Sequence, residues 1–234
     1  FIPHAGCPHL CSFCNQRTIS GEGDSSLAGA RRQMENLLGW VRPDPANELA
    51  FYGGSFTALA PDRQEALLDL AETWRGQGLC GPLRLSTRPD AIDGEVLSLL
   101  KAHHMAAVEL GAQSMDREVL RLNLRGHTPE DTARAAGLIR AAGLELGLQM
   151  MTGLYGSTPE QDVETARALI ALKPDTARIY PTVVLKGTQL ATLYQQGRYK
   201  PQSLEEAVEL CARLLPLFEE AGVRVIRVGL HAQE

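Results

Sequence analysis

Thr128-Pro129-Glu130-Asp131-Thr132-Ala133-Arg134-Ala135-Ala136-Gly137-Leu138-Ile139-Arg140-Ala141-Ala142-Gly143-Leu144-Glu145-Leu146-Gly147-Leu148-Gln149-Met150-Met151-Thr152-Gly153-Leu154-Tyr155-Gly156-Ser157-Thr158-Pro159 holds one helix–strand unit and the start of the next. Thr128 reads as an N-cap and Pro129 as the first helical residue, where its missing N–H costs nothing. Ala142-Gly143-Leu144 reads as a helix exit, with glycine supplying the left-handed cap. Leu144–Met151 is then an apolar run of strand length, and Thr158-Pro159 starts the next helix.

The same alternation extends in both directions. Further runs that read as strands are Leu49–Tyr52, Leu83–Ser86, Ala106–Leu110, Thr176–Val184 and Val223–Val228, and Phe1-Ile2 reads as the end of an earlier strand. Several are nearly continuous in apolar residues, as parallel strands buried on both faces should be. Helical signals lie between them. Pro61–Trp74 has apolar residues at 67, 68, 70 and 71, and Asp93 can cap a helix running to His103. Thr158-x-x-Gln161 and Ser203-x-x-Glu206 fit the capping box. Leu204, Val208, Cys211 and Leu215 form a helical stripe, and Ala221-Gly222-Val223 repeats the exit signal. About six βα units in one run predict an α/β fold with a parallel sheet and right-handed crossovers. Either an open doubly wound sheet or a full or partial (β/α) barrel fits, and both put active sites at the C-terminal strand ends.

The 234 residues suit one large domain over 1–234, and the start at Phe1 suggests a fragment of a longer chain. With 44% hydrophobic residues a sizeable core can be buried. Twenty-three Lys+Arg against 28 Asp+Glu give a net charge of −5, which argues against broad nonspecific nucleic-acid binding. No apolar run reaches the roughly 18 residues of a membrane span. Five cysteines, three of them within eight residues, do not look like a disulfide framework; a reducing cytoplasm and a metal site fit better. Cys80 and Cys211 read as structural.

The three clustered cysteines lie in Gly6-Cys7-Pro8-His9-Leu10-Cys11-Ser12-Phe13-Cys14-Asn15. Three thiolates without a nearby fourth leave one metal position open, whereas closed structural sites take four protein ligands. Two other readings stand: a zinc site completed by His4 or His9, and a redox pair of Cys11 and Cys14. Gly53-Gly54 follows the strand at Tyr52, so backbone there can approach a ligand closely. Glu109 sits in an apolar run, where an unpaired charge is costly; it should face the site or meet a cation such as Arg88.

The Cys-x3-Cys-x2-Cys spacing with Phe13 before the third cysteine resembles the radical S-adenosylmethionine (SAM) superfamily. That resemblance implies a partial (β/α)6 TIM-like barrel with a 4Fe–4S cluster on Cys7, Cys11 and Cys14, in the loop after the first strand. It implies SAM bound by the cluster's fourth iron and cleaved reductively to a 5′-deoxyadenosyl radical that takes hydrogen from substrate. It places SAM contacts at Phe13, at Gly53, Gly54 and Ser55, at Ser86, Gln113 and Arg125, and at Gln149, Met151 and Gly153. Ser55, Ser86 and Gln149 stand where relatives often carry acidic residues. The Arg178–Thr188 stretch, with Gly111-Ala112-Gln113-Ser114 and Arg125-Gly126-His127-Thr128, resembles the radical SAM domain of the Elongator catalytic subunit, which modifies wobble uridine in transfer RNA. Two departures are the shorter first cysteine spacing and the absence of an acetyltransferase domain from these residues.

The expected partners are an electron donor such as a flavodoxin or ferredoxin, and a tRNA base or a small molecule as substrate. Porphyrinogen-oxidase-like chemistry and a noncatalytic zinc-binding module are the alternatives. Arg17, Arg88, Arg178, Lys186, Arg198 and Lys200 could form a basic rim. Tyr180 and Lys186 could lie at the mouth. His127 could serve a turn, a cap or catalysis.

Overall fold

The computed structural model of the chain describes residues 1–8, 10–16 and 24–229. Six strands form one sheet: β1 Leu49–Phe51, β2 Leu83–Thr87, β3 Met105–Gln113, β4 Glu145–Thr152, β5 Thr176–Pro181 and β6 Arg224–Val228. They are parallel and paired in sequence order, and they curl into a half-barrel. The described helices are α1 Leu27–Leu38, α2 Pro61–Gly76, α3 Gly94–Ala102, α4 Arg117–Leu122, α5 Pro129–Ala141, α6 Pro159–Ala171, α7 Gln189–Gln195 and α8 Leu204–Glu220.

Local chemistry sets the helix starts. Thr128, Thr158 and Ser203 each accept from the backbone three residues on, while Asp131, Gln161 and Glu206 reach back to the cap N–H. Each such cap contributes about 1 kcal/mol. Asp93 accepts from the Val96 N–H to start α3. Leu67, Leu68, Leu83, Leu85, Leu100, Leu110, Ile139 and Leu146 are fully buried between the sheet and its helices. Each contributes about 1.5–3 kcal/mol of burial free energy.

The structure corrects several expectations. Among the described residues Phe1-Ile2 forms no strand of its own, although the Ile2 N–H donates to the Tyr52 carbonyl just past β1 at 2.8 Å; the cysteine loop follows Ile2 and precedes β1. The run at 176 leaves the sheet at Pro181 rather than Val184. α1 and α4 are helices that the sequence reading leaves unassigned. On α8 the buried face is Ala207, Leu210, Cys211, Leu214 and Phe218, while Leu204 and Val208 are exposed. The 3.6-residue period starting at Ala207 governs, and the apolar residues one step round the helix face outward.

Candidate functional site

A cavity of about 800 Å³ opens at the C-terminal ends of the strands. Cys7, Cys11, Phe13, Cys14, Gly53, Gly54, Ser55, Ser86, Gln113, Arg125, Gln149 and Met151 all line it. Gly153 does not. It lines a neighbouring cavity of about 530 Å³, its N–H donating to Asp162 Oδ2 at 2.8 Å and its carbonyl accepting from the Tyr199 hydroxyl at 2.7 Å. At φ +66° the chain turns there, and both polar groups of the glycine are used on that side.

The cysteine loop is locked onto the glycine segment. The Ser55 N–H donates to the Ala5 carbonyl at 2.8 Å. A Cβ on Gly54 would lie 2.0 Å from that carbonyl oxygen, and one on Gly6, at φ +73°, would lie 2.2 Å from the Ser55 carbonyl oxygen. Only glycine allows the two backbones to pass so closely. Farther along, buried Ser12 donates to Asn123 Oδ1 at 2.7 Å, and its carbonyl accepts from the Leu190 N–H at 2.7 Å. Asn123 in turn donates to the carbonyls of Val119 and Tyr155. Phe13 packs against Leu190, Leu193 and Tyr199. These anchors lie more than a hundred residues from the loop, and no local pattern announces them.

The Cys14 thiol is pushed up to about 12 by burial and by the neighbouring Cys11 and Cys7, against a lowering by Arg125. Crowded thiols of this kind ionise when a metal takes the protons' place. His4 Nε2 accepts the Gln16 N–H at 3.0 Å, which opposes its use as a fourth ligand; His9 lies outside the described residues. Among the described residues no three His, Cys, Asp or Glu side chains are gathered so as to clasp one ion. A cubane asks less, since each thiolate binds a different iron.

Arg125 and Gln113 line the same cavity, with Arg125 directly beside the thiols. Arg125 Nη1 donates to Cys11 Sγ at 3.1 Å and Nη2 to the Gly111 carbonyl at 2.6 Å. Arg125 Nε and Gln113 Oε1 are buried without a partner among the described residues. Gln113 also has φ +65°, a costly backbone state for a non-glycine residue and one that gathers at functional sites.

Glu109 is buried under the cavity's lining residues Tyr52, Gln149 and Arg178, forming a floor behind them, and its cation partner differs from expectation. Arg178 donates to it at 2.7 and 3.1 Å, Tyr52 at 2.6 Å and Gln149 at 2.8 Å, with Arg84 at 3.4 Å. Burial pushes the carboxyl up, but the bonds from Arg178 and Tyr52 outweigh it and hold it below the usual carboxylate range. Arg88 instead pairs with Asp90 at 2.9 and 3.0 Å and donates to the Arg125 carbonyl at 2.7 Å. His127 is buried, and burial pushes it down to about 4; its Nε2 lies 3.2 Å from the Ala112 carbonyl, a bond within the wall. The basic rim does not form as one band. Arg88 and Arg178 are spent on carboxylates, Arg198 and Lys200 line the neighbouring cavity, and Arg17 lies outside the described residues. Tyr180 does line the main cavity, with Phe1, Tyr52, Val183, Leu185 and Arg227, five residues that sequence reasoning missed.

Residues 1–169 match the Radical SAM superfamily, and residues 174–234 match the Radical_SAM C-terminal domain. The chain belongs to the radical SAM superfamily. It is 36% identical to a tRNA uridine(34) acetyltransferase of Methanocaldococcus jannaschii, over 87% of this chain and 45% of that protein. The solved archaeal Elp3 of Methanocaldococcus infernus superposes with a TM-score of 0.74 at 27% identity, covering 88% of this chain and 56% of that one. Coproporphyrinogen III oxidase from Escherichia coli gives 0.69 at 20% identity, covering 94% and 51%, a likeness of fold alone. The chain spans about half the length of the first curated relatives it matches.

Radical SAM enzymes work with a 4Fe–4S cluster and SAM. The residues here fit both: three thiols line one cavity, and two buried polar atoms, Arg125 Nε and Gln113 Oε1, have no partner among the described residues. Cys7, Cys11 and Cys14 would hold three irons, leaving the fourth for SAM. When bound, the pair supplies a 5′-deoxyadenosyl radical. The protein's own part is placement and shielding. Gly53, Gly54, Arg125 and Gln113 line the cavity, where Arg125 Nε–H would suit a carboxylate and Gln113 Oε1 an ammonium group. Phe56 and Leu59 seal the core beneath the glycine segment.

Proposed function

We propose that this chain is the radical-generating core of an enzyme that modifies a base of transfer RNA. The observation carrying this reading is the cavity's lining, which joins the three thiols, Arg125 and Gln113 with Met151, Tyr180, Val183, Leu185 and Arg227. An aromatic and aliphatic surface of that kind suits a flat, extruded base, since bases stack on tyrosine by about 1–3 kcal/mol. The similarity to tRNA uridine(34) acetyltransferases supports the same substrate. A flavodoxin or ferredoxin supplies the electron, in a reducing cytoplasm; no described helix is long and apolar enough to cross a membrane.

The test is anaerobic turnover with SAM, reductant and tRNA deuterated in its uridines. The proposal expects 5′-deoxyadenosine carrying deuterium, in amounts that rise with tRNA. Deuterium arriving from a labelled porphyrinogen and not from tRNA would overturn it.

A further inference from the structure

We infer that Arg125 tunes the cluster as well as binding near it: its guanidinium donates a hydrogen bond to the Cys11 sulfur and raises the cluster's reduction potential. The inference rests on the reading that Cys7, Cys11 and Cys14 hold a 4Fe–4S cluster.

The geometry is specific. Nη1 lies 3.1 Å from Cys11 Sγ, and Nη2 is fixed on the Gly111 carbonyl at 2.6 Å. The residue's own carbonyl accepts from Arg88, which Asp90 holds in a two-pronged pair. Its N–H donates to the Leu120 carbonyl at 3.0 Å. Arg125 is buried and makes no ion pair among the described residues, so its charge is undiluted by a carboxylate or by much water. It therefore faces the sulfur as a preorganised cation.

Reduction adds one electron, and one negative charge, to the cluster. A cation hydrogen-bonded to a ligating sulfur stabilises the reduced form more than the oxidised form. Hydrogen bonds to the sulfurs are among the factors that set cluster potentials. Five donors in a fixed fork let one guanidinium do two things: Nη1 and Nη2 are committed to sulfur and backbone, and Nε is left without a partner among the described residues. A lysine cannot span both anchors. Arg125 is thus a positioning residue that acts on the cluster through Cys11, in addition to its expected contact with SAM.

The test uses the reconstituted protein without SAM, so that loss of SAM binding plays no part. Dithionite-buffered redox titration, followed by EPR of the reduced cluster, gives the midpoint. At the wild-type midpoint, Arg125→Gln is expected to show a reduced-to-oxidised ratio about tenfold lower, about 59 mV for one electron. Arg125→Lys should fall between the two. A midpoint unchanged in Arg125→Gln overturns the inference. If that variant fails to assemble a cluster, wild-type protein labelled with 15N-arginine decides. Pulsed EPR of its reduced cluster should show one arginine nitrogen coupling, and its absence refutes the inference. Failure of wild-type protein to bind iron would instead sink the reading beneath it.

Discussion

Replacing Glu109 by glutamine should destabilise the protein out of proportion to the one atom changed. Glu109 is 1% exposed and accepts from Arg178, Tyr52, Gln149 and Arg84. Arg84 keeps Glu48 and Glu145, each at 2.9 Å, so it is not orphaned by the change. Arg178 has no other carboxylate among the described residues; its remaining contacts include the Tyr52 hydroxyl at 2.6 Å, the Tyr52 ring and the Tyr180 hydroxyl. Removing one partner of a buried ion pair costs about 3–5 kcal/mol. Glutamine still accepts one of the bonds, so the lower end, about 3 kcal/mol, is expected. For a chain of this size that is roughly 6–12 °C in Tm. Urea titration and thermal unfolding by circular dichroism at pH 7 read it directly. The sign with pH follows from the lowered folded-state value of Glu109. Its stabilisation is present above the unfolded carboxylate value and lost as pH falls through the folded one, so wild type and variant should converge in acid. Arg178→Met should couple to Glu109→Gln in a double-mutant cycle. A loss below about 1 kcal/mol, or additive single changes, would refute the account of the cavity floor.

Gly54→Ala should abolish iron incorporation while leaving most helical signal intact, because its Cβ would strike the Ala5 carbonyl at 2.0 Å and unseat the cysteine loop; normal iron content by chemical assay would contradict this. In metal-free protein at pH 9, iodoacetamide should alkylate Cys14 about two to three orders of magnitude more slowly than a free thiol, since burial and its neighbours push it up to about 12; peptide mass mapping decides. Asp162, raised to about 6 by burial against bonds from Ser157 and Gly153, favours folding below the unfolded carboxylate value and loses that contribution as pH rises through 6. Unfolding from pH 4 to 7 should therefore show a stability decline in wild type that Asp162→Asn lacks; equal slopes would contradict it.

The parts of the fold written in local chemistry were legible in the sequence. Thr128, Thr158 and Ser203 mark helix starts by capping, and the apolar runs at 83, 106 and 144 mark buried strands whatever surrounds them. The thiol loop was legible because three cysteines lie within eight residues. What stayed hidden depends on chain crossings. Glu109 finds Arg178, sixty-nine residues away, and not Arg88, because β5 brings an inward side chain over the floor while Arg88 is taken by Asp90 two residues on. Gly153 reads like its glycine neighbours at strand ends, yet Tyr199 and Asp162 draw its backbone to the other cavity. Arg227 and Val183 reach the site only through the curl of the sheet.

Anaerobic iron–sulfur reconstitution, followed by EPR of the dithionite-reduced protein with and without SAM, tests the central claim most directly. The account predicts about four irons per chain, lost in Cys11→Ala, and a cluster signal that SAM changes because one iron carries no protein ligand. One tightly bound zinc, or a cluster whose signal ignores SAM, would contradict it.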